Sequence, residues 1–358
     1  MSDSRSFTPR GRGTGLNPDN RFFSTRSQSE PDGWWLDDGP PPDPATQVAV
    51  QRSRSIITRN RSPDLPFAQS INPYQGCEHG CIYCYARPSH AYLDLSPGLD
   101  FETRLFAKPD AAALLRAELA RPGYEVSPIN IGANTDPYQP VEREWRITRA
   151  LLEVLLDCRH PVTLISKSAL VLRDLDLLGE LAALGLVRVM ISVTTLDPAL
   201  SRIMEPRASA PHRRLQAVSR LRAAGVPVGV LMAPLMPFIN DDEIERVLAA
   251  VAEAGADSAG YVLLRLPHEL RDLFTDWLRQ HFPLRAERVM QVMRDLRGGR
   301  ENDPRFGHRM RGQGVYADLI ARRFHRARRQ WRLDGDRTPL RQDLFRPPVR
   351  GGQLRLFD

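Results

Sequence analysis

From about position 68 the chain settles into a regular alternation. Short aliphatic or β-branched runs occur at 69–73, 126–133, 161–166, 187–193, 226–232 and 258–264. They read as strands. Between and after them lie amphipathic stretches at 110–120, 142–158, 170–184, 212–224, 241–254 and 269–281. In these stretches apolar residues recur every three or four positions, which predicts helices. Gly225 and Gly255 stand where helix C-caps belong. Six βα units in succession predict an α/β fold with parallel strands and right-handed crossovers. Six units make a partial (βα)6 barrel of the TIM type, short of the eight that close a full one. A doubly wound open sheet satisfies the same pattern.

The flanks break the alternation. Positions 1–65 are dominated by Pro, Ser, Arg and Gly and show no helical or strand period, so a disordered leader is expected there. It carries a polyproline stretch, Pro40–Pro42, and one apolar spot, Trp34 and Trp35. The core is expected to span 66–285. From 286 a basic extension follows, with one helix at 314–330 and an extended, flexible end. Residues 283–358 hold 19 arginines against 9 acidic residues, so this segment alone exceeds the whole chain's net charge of +7. The longest apolar runs are too short to cross a bilayer, and the N-terminus lacks the apolar region of a signal peptide. Four cysteines in such a chain do not form a disulfide framework. The expected class is a cytoplasmic enzyme without a membrane partner.

Three of those cysteines, Cys77, Cys81 and Cys84, fall within eight residues at C-x3-C-x2-C spacing. They follow the first predicted strand directly, where a barrel places its active-site loops. Such a loop can wrap a metal centre with each thiolate turned inward, and Gly76 and Gly80 relieve its crowding. A structural zinc site takes four ligands, usually as two pairs, and a 4Fe-4S cube normally takes four cysteines. Three cysteines leave one iron open to a substrate or cofactor. Cys158 continues the helical stripe Ile147, Leu151, Val154, Leu155, so it is expected to be a buried apolar residue at the opposite end of the barrel. His79 is too cramped between two cysteines to serve as a fourth ligand.

The cysteine spacing, with Tyr83 before the third cysteine, resembles the radical SAM superfamily. That resemblance implies a 4Fe-4S cluster on Cys77, Cys81 and Cys84 whose open iron chelates S-adenosylmethionine. It further implies reductive cleavage of that cofactor to a 5′-deoxyadenosyl radical, supplied by a one-electron reductant. Further motifs stand at the C-terminal ends of successive strands: Ile131-Gly-Ala-Asn-Thr-Asp-Pro-Tyr-Gln-Pro-Val-Glu142, Ser166-Lys-Ser168, Ser192-Val-Thr-Thr195, Glu205-Pro-Arg207 and the stretch from Gly229 to Asn240. Together they resemble the spore photoproduct lyase-like, or "DNA repair photolyase", branch over roughly residues 68–310. The resemblance implies that Asn134, Thr135 and Asp136 meet the cofactor's amino group and that Ser192 and Thr194 meet its ribose. Lys167, Ser168 and Arg207 are the candidates for its carboxylate or for the substrate. Val230 to Met232 would line the adenine. Against these stand structural readings: Asp136-Pro137 as a turn, and Glu205-Arg207 as an ion pair. One departure is clear. The spore photoproduct lyases carry a hydrogen-donating cysteine beside the second-strand motif, and here Gly132-Ala-Asn-Thr135 has no thiol. Tyr138 is the substitute to consider.

Two features point to partners. The arginine-rich segment, including His325-Arg-Ala-Arg-Arg-Gln-Trp-Arg332, suits nucleic-acid phosphates. The terminal Gln353, Leu354, Leu356 and Phe357 resemble the bacterial sliding-clamp-binding pentapeptide, on a tether of Pro and Gly. The expected function is therefore a radical SAM enzyme acting on nucleic acid. Modification of a protein or metabolite, or a non-catalytic iron–sulfur nucleic-acid-binding module, are the alternatives.

Overall fold

The computed structural model describes residues 8–23, 43–335 and 338–348. Ten strands occur in it: β1 (Gln47–Val50), β2 (Thr58–Arg59), β3 (Gln69–Ile71), β4 (Tyr74–Gln75), β5 (Arg104–Ala107), β6 (Ile129–Ile131), β7 (Val162–Ser166), β8 (Val187–Ser192), β9 (Val228–Leu235) and β10 (Ser258–Leu263). The α-helices are α1 (Asp100–Thr103), α2 (Ala111–Leu119), α3 (Glu142–Trp145), α4 (Ile147–Asp157), α5 (Leu175–Ala183) and α6 (Pro198–Met204). They continue with α7 (Pro211–Ala223), α8 (Ile244–Glu253), α9 (Leu270–His281), α10 (Ala286–Asp295) and α11 (Val315–Gln330).

All six expected strands form one sheet with the order β10-β9-β8-β7-β6-β3-β2. Every pair from β3 to β10 is parallel, and β2 adds an antiparallel edge. The six core strands therefore follow one another in the sheet in chain order, while β1, β5 and β4 form a separate three-stranded sheet. A doubly wound sheet reverses direction at a switch point, and this order never does, so that alternative is excluded. The two edges do not pair with each other among the described residues, and the sheet is an open, singly wound one. Its central strands are buried along nearly their whole length, as parallel strands covered on both faces must be. The intervening helices pack on their neighbours in chain order, α2 on α4, α4 on α5 and α7 on α8.

Local sequence breaks two of the expected helices. The helix expected over 142–158 divides at Arg146, which has φ +50°. Glu142 turns inward at its start and accepts the Thr148 N–H, 3.1 Å away. The helix expected over 170–184 opens with a 3-10 turn, Ala169–Asp174, because Ser168 caps it on Leu170 N–H.

Both flanks correct the expectation. The described part of 1–65 is not structureless: β1 pairs in parallel with β5 and β2 pairs with β3. Residues 8–23 lie against the body through Arg12, Thr14 and Asn20, all buried. Their partners are far away in the chain, which is why no local periodicity announces them. Position 285 is likewise no structural boundary. α10 buries Ala286, Val289, Met290 and Met293, the Met310 carbonyl accepts from Leu263 N–H on β10, and α11 buries Ala317, Ile320, Phe324 and Ala327. Phe345 packs against Tyr124 (tilted) and edge-on against His160 at the base of β7. Trp34, Trp35, Pro40–Pro42 and Gln353, Leu354, Leu356 and Phe357 lie outside the described residues.

Candidate active site

The three cysteines occupy a tightly wound loop between β4 and the 3-10 helix Arg87–Leu93. Cys77 and Cys81 are buried and Cys84 is partly exposed. Successive turns close on the loop itself: Gly80 N–H reaches Cys77 O, Cys84 N–H reaches Cys81 O and Arg87 N–H reaches Cys84 O. Gly76 and Gly80 have φ of +75° and +66°, in the left-handed region, and a Cβ at Gly80 would lie 2.7 Å from Glu102 Oε2.

A second set of groups holds this loop from outside. Arg87, with no exposed surface, donates to the carbonyls of Cys81 (2.9 Å), Gly80 (3.1 Å) and Gly98 (2.9 Å) and pairs with the buried carboxylate of Glu102. Gly13 N–H, from the N-terminal segment, donates to the other Glu102 oxygen at 2.9 Å.

The T-D-P-Y-Q-P-V-E motif grips the opposite side. Thr135 Oγ1 donates to Tyr74 O at 2.9 Å. Gln139, fully buried, brackets Cys77: its Nε2 donates to Gly76 O at 3.2 Å and its Oε1 accepts from Glu78 N–H at 2.8 Å. Tyr74 donates to Glu142, which also binds Arg173 at 2.7 Å. Asp136 accepts from Ser166 Oγ, Lys167 N–H and Tyr138 N–H, each within 2.9 Å, and lies 3.4 Å from His79 Nδ1. Burial alone would raise the Asp136 pKa; the facing His79 and the donated hydrogen bonds outweigh it and bring it down to about 2.

Under Cys81 lies a buried charged network. Glu205 accepts from Tyr83 OH and Thr194 Oγ1 and pairs with Arg214 at 2.8 Å. Arg214 also donates to Ser192 O at 3.1 Å. Lys167 lies 5.8 Å from the Tyr83 ring centroid, and its ammonium acts electrostatically on Cys81. Burial pushes the Cys77 thiol well above its ordinary range and the Cys81 thiol up to about 12. Such thiols become thiolates only when a metal supplies the positive charge.

The residues fit a cluster. The cysteines are free, so no disulfide competes for them. No three His, Cys, Asp or Glu side chains among the described residues converge on a single ion. A cube differs from a single ion because each cysteine takes a different iron and the thiolates stand further apart. Cys77, Cys81 and Cys84 would hold it, with Lys167 as the nearby cation.

Residues 71–251 match the Radical SAM superfamily. The chain belongs to that superfamily. Members use a 4Fe-4S cluster and S-adenosylmethionine, so both cofactors apply here. An uncharacterized protein of Mycobacterium tuberculosis, Rv2578c, is 35% identical over 277 residues, covering 77% of this chain and 78% of that protein. Another, MJ0683 of Methanocaldococcus jannaschii, is 25% identical over 197 residues, 55% of this chain and 71% of that one. The fold is shared with spore photoproduct lyase complexed with dinucleoside spore photoproduct, at TM-score 0.56, 16% identity and 79% coverage of each chain. A variant of that lyase with bound AdoMet and the same dinucleoside gives TM-score 0.55 and 15% identity, again over 79% of each chain.

The geometry sorts the other site residues. Tyr83, Lys167, Ser192 and Thr194 gather with Cys81 around Glu205 and Arg214. Asn134 is exposed at the end of β6, its N–H held by Asn72 Oδ1 at 2.8 Å. Thr135, Asp136, Ser168 and Thr194 already direct their side-chain oxygens to protein partners. Ser168 and Arg207 line a cleft of about 130 Å³ with His79, Tyr138 and Arg143. Arg207 pairs with Glu78 at 3.3 Å, not with Glu205. Tyr138 has no exposed surface and its hydroxyl donates to Asp174 at 3.0 Å, so it borders the cleft only as part of its packed wall. Tyr85, half exposed beside Cys84, reaches Ala133 O. Cys158 is buried at the far end of α4, its carbonyl bound by Arg346 N–H. Among the described residues no helix is long and apolar enough to cross a membrane.

Proposed function

We propose that this chain is a radical SAM enzyme that abstracts a hydrogen atom from a nucleic-acid substrate. The observation that carries the enzymatic part is the buried three-cysteine loop, gripped on both sides and opening beside Lys167 and Tyr83. When bound, the cluster and S-adenosylmethionine supply one-electron cleavage of a carbon–sulfur bond and a 5′-deoxyadenosyl radical. The chain's own part is positional. Cys77, Cys81 and Cys84 would hold the cluster, and Arg87 and Gln139 fix the loop. Lys167 places a cation beside the thiolates, and the buried Glu205–Arg214 pair fixes Tyr83.

Nucleic acid as substrate is supported by the fold shared with a lyase bound to a dinucleoside, and by a basic surplus concentrated after residue 283. That lyase's hydrogen return is not part of the proposal, because no thiol stands at 132–135 and the buried Tyr138 hydroxyl is bound to Asp174. The terminal Gln353–Phe357 peptide serves, in this reading, as a tether to a sliding clamp. The test is anaerobic turnover with deuterium-labelled DNA, RNA or protein. Deuterium appearing in 5′-deoxyadenosine only from nucleic acid supports the proposal; transfer only from protein or a small molecule refutes it. Deleting residues 353–358 should abolish clamp binding and leave cofactor cleavage unchanged.

A further inference from the structure

Ten large hydrophobic side chains are exposed among the described residues, and two of them, Phe22 (53%) and Tyr92 (72%), stand together, with Phe23 (44%) next in the chain. The Phe22 and Tyr92 rings are 5.3 Å apart. The Arg21 guanidinium lies over both, 4.6 Å from the Phe22 centroid and 5.2 Å from that of Tyr92. Nothing here is loose. Asn20, only 3% exposed, accepts Phe22 N–H on its side chain (2.9 Å) and Phe23 N–H on its carbonyl (3.2 Å), so the turn is locked from inside. Arg21 Nη1 is held by both carboxylate oxygens of Glu269 at 3.2 Å and by Pro88 O at 3.2 Å. Tyr92 rides on the 3-10 helix that starts at Arg87, three residues after Cys84.

The position is informative. Glu269 follows β10 at its C-terminal end, the end of the sheet that carries the cysteine loop. The rings therefore stand on the rim of the candidate active site, between the cysteine loop and the β10–α9 connection. A pair of exposed rings inclined at 44° with a guanidinium over both is ill-suited to an apolar partner, which would bury the Arg21–Glu269 ion pair. It suits a nucleobase, which stacks on an open ring face while its backbone stays near the cation.

We propose that Phe22 and Tyr92, oriented by Arg21, form a stacking platform for a base of single-stranded or unpaired nucleic acid next to the reacting nucleotide. The proposal rests on the nucleic-acid reading above. Stacking on one aromatic is sequence-tolerant, so the platform grips substrate without choosing a base. It also releases no counterions, which separates it from phosphate contacts.

The test uses full-length, anaerobically reconstituted protein and a fluorescein-labelled single-stranded 12-mer, followed by anisotropy at several salt concentrations. Tyr92→Ala should weaken binding on the order of tenfold, with the salt slope unchanged. Tyr92→Phe should bind like wild type. Cluster absorbance and substrate-free cofactor cleavage should match wild type in both variants, which reports intact folding. Wild-type binding with an unchanged Tyr92→Ala affinity overturns the platform and leaves the nucleic-acid reading standing. Absence of oligonucleotide binding by wild type at low salt overturns that reading and the platform with it.

Discussion

Gln139 offers the sharpest test of how the cysteine loop is held. Its amide is buried and bonds on both sides of Cys77, to Gly76 O and from Glu78 N–H. Gln139→Leu keeps the volume, excludes water and removes both partners. Each buried backbone group left unsatisfied costs about 1–3 kcal/mol, so the loop conformation loses roughly 2–6 kcal/mol. Even about 2 kcal/mol lowers the population of the cluster-ready loop roughly 30-fold. Iron and sulfide per chain, measured after anaerobic reconstitution and again after challenge with a chelator, would report this. The Leu variant should load poorly and lose its iron at far lower chelator concentration than wild type. Gln139→Ala, which admits a water, should fall between the two. A Gln139→Leu protein with wild-type iron content and chelator resistance would refute the claim that this motif holds the loop.

Other consequences follow from the same geometry. Arg87→Met leaves Glu102 buried without its ion-pair partner, and should lower unfolding free energy in urea by about 3–5 kcal/mol; adding Glu102→Gln should recover part of it. Burial holds His90 and His160 neutral, each with a pKa lowered to about 4. A histidine kept neutral binds fewer protons folded than unfolded, so stability is full above about pH 6.5 and declines as pH falls toward 4. The loss approaches about 3 kcal/mol per group, and thermal midpoints between pH 7 and 4.5 measure it. Cys158→Ala, far from the loop, should reconstitute a full cluster, which absorbance and iron analysis check.

The strands were legible because parallel, doubly buried strands are almost uniformly apolar, and the apolar runs at 187–193 and 226–232 announce themselves. The cysteine loop was legible from spacing alone. What escaped was whatever depends on distant partners. Arg12, Gly13 and Asn20 sit in a stretch of Arg, Gly and Ser that reads as disorder, yet their bonds run to residues 95–102. Arg87 and Arg214 look like surface arginines in sequence, and only the fold reveals the buried Glu102 and Glu205 that neutralise them. The T-D-P-Y-Q-P-V-E motif stands out in the sequence, but its protein partners do not. Its Thr135, Asp136, Gln139 and Glu142 face Tyr74, Gly76, Glu78 and His79, which hold the cysteine loop. Glu142, placed one turn before a helix, could have been suspected as a cap; nothing in its spacing pointed to Tyr74.

The central claim is that Cys77, Cys81 and Cys84 hold an iron–sulfur cube that leaves one iron for S-adenosylmethionine. Anaerobic protein should contain close to four irons per chain and, on reduction, should convert S-adenosylmethionine to 5′-deoxyadenosine. Cys81→Ala should lose both properties together. Wild-type protein that binds zinc in place of iron, or a Cys81→Ala protein that still cleaves the cofactor, would contradict the account.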